Sequence, residues 1–107
     1  LTSIRRNSDD PISPDFKEKE FFTKSPDFNK DHHVLDVSLI IGAQIIRDFI
    51  INPVFITSSY RTVLHNQAVG GSSIHTFKAM ALDLSCGVYQ SLVNENILRR
   101  GILYIFL

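Results

Sequence analysis

The clearest pattern in the chain is a recurrence of apolar residues at one-turn spacing between Asp31 and Ile51. Leu35, Leu39, Ile46 and Ile50 fall on one helical face, and Ile40, Ala43 and Ile45 widen it. The spacing predicts a helix over 31–51, capped at its start by Asp31 or Asp36 and ended at Asn52-Pro53, where the residue before proline is driven out of the helical region. Asp36, Gln44, Arg47 and Asp48 interrupt the run, which excludes a membrane span. Val54–Tyr60 (VFITSSY) is β-branched and aromatic and predicts a strand; Thr62–Ala68 predicts a short helix or turn, closed by Gly70-Gly71. Ala79–Leu84 (AMALDL) reads as a second, buried strand, Ser91–Arg99 as a helix ended by Gly101, and Ile102–Leu107 (ILYIFL) as a final strand.

Upstream of the long helix the pattern weakens. Residues 1–15 are polar, with Pro11 and Pro14 among Asp9, Asp10 and Asp15, and predict an extended arm that lies across the domain or a neighbouring chain, or a poorly ordered terminus. Phe16–Phe28 mixes charges with four phenylalanines, of which Phe21 and Phe22 are expected to seat a short helical turn against the core. His32 and His33 are adjacent, and neighbouring positions on a helix do not face the same way, so a chelating pair is not expected there.

Composition adds bounds. A chain of 107 residues suits one domain, here 16–107 behind the arm. Hydrophobic residues make up 44% and charged residues 21%, and the net charge is zero, so nothing points to nucleic acid or an anionic membrane surface. Cys86 is the only cysteine, which excludes an internal disulfide. No signal peptide is visible, and the oligomeric state is not legible. The chain begins with Leu1 and stops within an apolar strand, and the expectation is that the protein continues past Leu107.

The chemistry gathers between Ile56 and Leu84. Asp83 stands in an apolar run, where a carboxylate is costly unless paired, hydrogen-bonded or metal-bound. His75 lies eight residues earlier, and imidazole with carboxylate is a zinc donor set. Arg61, at a strand end, can hold a substrate carboxylate or an oxyanion. The alternative is that Asp83 simply pairs with Arg61 and His75 is a loop histidine.

The ordered series Ile56-Thr57-Ser58-Ser59-Tyr60-Arg61, Asn66, Val69-Gly70-Gly71, Ser73-Ile74-His75 and Ala81-Leu82-Asp83 resembles the zinc D-alanyl-D-alanine carboxypeptidase family, which also includes bacterial and phage L,D-peptidases that cut cell-wall cross-links. The family pattern runs S-G-Y-R, N-x-x-V-G-G, S-x-H-x-x-G-x-A-x-D, then a late strand ending F-[I/V/L]-H-x-D. With a Glu20-Phe21-Phe22 entry and the long helix to Arg47, the likeness covers about 16–107. It implies an α+β fold, a small antiparallel sheet with helices mainly on one face. It implies zinc held by His75 and Asp83, with a third ligand just after Leu107, and a catalytic Arg61. Ser73 and Tyr60 would contact the substrate, a peptidoglycan peptide, in the cell envelope or as a phage-delivered activity.

Departures from the pattern accompany the likeness. Ser59 replaces a glycine, and Lys78-Ala79 stand where another glycine is expected. Seven residues separate His75 from Asp83 where the family has six, and the loop from Gly71 to His75 is short. A bulge near Lys78 or a degraded site would account for the spacing. No acidic residue after Asp83 matches the family's catalytic base, since Glu95 falls on the expected helix, and His65 is a substitute donor the family does not use. These departures frame two functions: a zinc peptidase, or an inactive relative serving as a structural or cell-wall-binding module. A role within a larger assembly, docked through the arm, is a third.

Overall fold

A computed structural model describes residues 1–50, 53–70, 82–86 and 105–106. Strands β1 (Thr2–Arg5), β2 (Pro11–Ser13) and β3 (Phe16–Lys17) lead into a 3-10 helix at Glu18–Phe21. Strand β4 (His32–Leu35) precedes helix α1 (Val37–Ile50). Strand β5 (Phe55–Ser58), helix α2 (Val63–Val69), strand β6 (Leu82–Ser85) and strand β7 (Ile105–Phe106) come after it. The expected α+β class is the one observed. β1 pairs antiparallel with β4 and β2 with β3, while β5, β6 and β7 form a three-stranded sheet in that order.

The first fifteen residues, expected as an arm or a loose terminus, fold into the domain. Ile4 on β1 is fully buried and pairs with His33 across the ladder. The Glu18 carboxylate, itself buried, accepts from the Arg5 backbone N–H at 2.6 Å and from its guanidinium at 2.9 Å. Ser13 Oγ and Asp15 N–H both donate to the Gln44 side-chain oxygen on α1. Polar composition hid two inward apolar residues, Ile4 and the partly buried Ile12, and a set of charged groups that are satisfied within the fold.

The long helix is shorter than its periodicity. Its expected first turn is β4, where burial alternates so that His33 and Leu35 point inward and His32 and Val34 outward. Leu35 fits a helical face and a strand face equally well, and pairing with β1 decides between them. Asp36 then starts the helix, accepting from Ser38 N–H at 2.9 Å. From there the face is as expected: Leu39, Ile40, Ala43, Ile46 and Ile50 are buried. They join Ile4, Phe16, Phe21, Phe22, Leu35, Ile56, Leu82 and Leu84 in one core. No helix among the described residues is long and apolar enough to cross a membrane.

The expected turn before the helix is the 3-10 helix, and Phe21 and Phe22 are buried as anticipated. β7 runs parallel to β6, Leu82 opposite Ile105 and Asp83 opposite Phe106, so the last strand does not continue the antiparallel pattern. Parallel neighbours need a crossover connection between them. The helix expected at 91–99 falls in that stretch of chain, outside the described residues.

Candidate functional site

β5 and β6 carry the site. They pair antiparallel, with Ile56 opposite Leu84 but Ser58 opposite Asp83, so β5 holds one extra residue between Ile56 and Ser58. The irregularity expected near Lys78 lies outside the described residues; the one observed is on the partner strand. A bulge bends its strand and re-aims the side chains beyond it, and bulges are common beside active sites.

On β6, Leu82 and Leu84 are buried, while Asp83 and Ser85 alternate to the other face and are only partly covered. Asp83 is therefore not inside an apolar core, as the run AMALDL suggested, but at its edge. Arg61, three residues beyond β5, donates from Nη2 to Asp83 Oδ2 at 2.6 Å. Its side chain is 12% exposed and that of Asp83 29%. Such partial cover screens the pair less than a fully exposed one and spares it the full desolvation cost of a buried one. Arg61 Nη1 also donates to Asn66 Oδ1 on α2 at 3.3 Å, so the guanidinium spans the helix and the sheet.

α2 is set by its ends. Thr62 caps it, Oγ1 accepting from His65 N–H at 3.2 Å and donating to Asp27 at 2.6 Å. Gly70 closes it at φ +67°, a left-handed conformation that glycine adopts without penalty.

Tyr60 and Arg61 end up with different surroundings. The Tyr60 ring packs into an aromatic cluster, 5.2 Å from the His33 ring and 5.7 Å from Phe28, centroid to centroid. Phe22 completes that cluster, and the Arg6 guanidinium lies 4.6 Å over the Phe22 ring. Ser59, where the resemblance leads one to expect glycine, is 2% exposed and donates from Oγ to the Phe21 carbonyl at 2.6 Å. Sequence reasoning missed the partners of this turn. They are Thr23 and Ser25, buried polar residues whose only signal was a polar pair among phenylalanines.

His75 and Ser73 lie outside the described residues. His32 and His33, on a strand rather than a helix, still point to opposite sides. Among the described residues no three His, Cys, Asp or Glu side chains gather into a metal-binding group. Asp83 meets the chemistry of a zinc donor, being a partly exposed carboxylate, and it is the one expected ligand among them. Cys86 is buried, and burial pushes its thiol pKa up, which leaves it unreactive.

The geometry defines a small α+β domain with an arginine–carboxylate pair whose carboxylate lies on the central strand of a mixed sheet. The profile of the family described as Peptidase M15 matches residues 14–100, and the chain belongs to that family. The match covers most of the stretch, about 16–107, from which the resemblance to zinc D-alanyl-D-alanine carboxypeptidases was drawn, and ends before the last strand. Neither a curated protein nor a solved structure matches the chain.

Proposed function

We propose that the chain is a zinc-dependent peptidase that hydrolyses the stem peptides or cross-links of peptidoglycan, working in the cell envelope or delivered there by a phage. The observation that carries this reading is the meeting of Arg61, just beyond β5, with Asp83 on β6 at 2.6 Å, within a family of peptidases. In this reading His75 and Asp83 hold the metal, Arg61 binds the substrate carboxylate or the developing oxyanion, and Ser73 and Tyr60 contact the peptide. Zinc, when bound, supplies a Lewis acid and lowers the pKa of its water to about 7.

Arg61 has two candidate partners, Asp83 and a substrate anion, and a metal at Asp83 would release the guanidinium toward the second.

One observation favours the inactive alternative: the His75-to-Asp83 spacing is one residue longer than the family pattern. The experiment uses the complete gene product. Metal analysis is expected to find one zinc per chain, lost in Asp83→Asn and His75→Ala. Assay on purified peptidoglycan is expected to release D-alanine or cleave cross-links. Arg61→Lys keeps the zinc and lowers turnover roughly a hundredfold, the scale of losing an oxyanion donor. A zinc-loaded product that binds cell wall and hydrolyses nothing leaves only the scaffold reading.

A further inference from the structure

The peptide units on both sides of Arg61 are held by one short segment. Thr23 Oγ1 donates to the Tyr60 carbonyl, immediately before Arg61. Thr62 N–H, immediately after it, donates to Ser25 Oγ at 3.0 Å. Ser25 N–H donates to Thr23 Oγ1 at 3.2 Å, so the Thr23 hydroxyl also ties down the backbone of Ser25. The seam extends back along β5, through Ser59 Oγ to the Phe21 carbonyl and through Lys24 Nζ to the Ile56 carbonyl beside the bulge. Thr23 and Ser25 are both buried, in a segment far from Arg61 along the chain.

We infer that Thr23 and Ser25 are positioning residues for Arg61, a two-point clamp that fixes its backbone so that the guanidinium projects to Asp83. The physical reason is leverage. Arg61 follows a bulged strand and precedes a seven-residue helix, so neither neighbouring element defines its φ and ψ by a continuous ladder. A long side chain amplifies small backbone rotations, and a displacement of about 1 Å at a substrate-orienting group can cost a hundredfold in rate. Buried hydroxyl-to-backbone bonds are suited to this work, since breaking one leaves a desolvated carbonyl or N–H.

The inference rests on the reading of Arg61 as the substrate arginine, so its test has an arm that needs no activity. In the complete gene product, Thr23→Val keeps shape and removes the hydroxyl, and Thr23→Ser restores it. By NMR, the Arg61 guanidinium N–H signals are expected to be protected in the wild type and in Thr23→Ser, and at least tenfold faster in exchange in Thr23→Val. On peptidoglycan fragments the zinc content of Thr23→Val stays at the wild-type level, kcat falls about tenfold or more, and Thr23→Ser recovers most of it. If Thr23→Val melts lower but its folded fraction keeps wild-type kcat, or keeps the Arg61 protection, the residue is only structural and the inference is overturned. If the wild type hydrolyses nothing, the peptidase reading fails by itself, and the exchange measurement still decides the clamp.

Discussion

His33 is held neutral by its surroundings. Its Nε2 accepts from Thr23 N–H at 2.9 Å, which leaves the proton on Nδ1, 3.0 Å from the Val34 carbonyl. Burial among Phe22, Phe28 and Tyr60 pushes its pKa below the ordinary 6.5, the charges of Arg6 and His32 add to the effect, and the bond to Val34 opposes it. The unfolded chain takes up this proton near 6.5 and the folded chain only at lower pH. Stability is therefore full above 6.5 and is lost as pH falls through the folded-state value. The slope contributed by one such proton is at most about 1.4 kcal/mol per pH unit. Denaturant melts between about pH 7 and pH 5 are expected to show this loss in the wild type and a flatter dependence in His33→Gln. Ser59 makes a second prediction at this scale. Ser59→Gly restores the residue typical of the family yet removes the bond to Phe21, and is expected to lower stability by about 1–2 kcal/mol, read by urea denaturation.

At the scale of elements, α2 is the most exposed to single changes. It has seven residues, too few to persist by propensity, and depends on its caps. Thr62→Ala removes the acceptor for His65 N–H and the donor to Asp27, and is expected to cost about 1–2 kcal/mol. Gly70→Ala meets no steric neighbour, so its cost is conformational alone, about 1 kcal/mol. Thermal melts of both variants check these values. α1 starts differently, from the Asp36 carboxylate, whose pKa is held low by the bonds it accepts from Ser38.

The whole molecule is closed by its N-terminal segment. Ile4 lies at the centre of the core, and Glu18 ties Arg5 and Ser8 to the 3-10 helix. The hydrogen bonds from Arg5 hold the Glu18 pKa below its ordinary value, so this contribution is present at neutral pH and is lost on acidification through the folded-state pKa. Ile4→Ala is expected to cost about 2–5 kcal/mol in the manner of buried large-to-small changes, enough to unfold a marginal domain. Circular dichroism with denaturant checks it. A loss under about 1 kcal/mol would mean that β1 is dispensable.

Some of this protein is dictated by its residues in order. The apolar face of α1 comes from 3.6-residue spacing, the β5 strand from its β-branched run, and the α2 end from Gly70, because each is a local steric preference. The pairing of Arg61 with Asp83 was legible as an alternative, since an aspartate in an apolar run asks for a cation. Other features had no local signature. Whether Leu35 belongs to a helix or a strand depends on its pairing with β1, at the far end of the N-terminal segment. The half-exposed setting of Asp83 depends on the register and bulge of β5, and the buried work of Thr23, Ser25 and Ser59 on a segment meeting them from afar. Spacing along the chain encodes which way a side chain turns; only tertiary packing decides what it meets there.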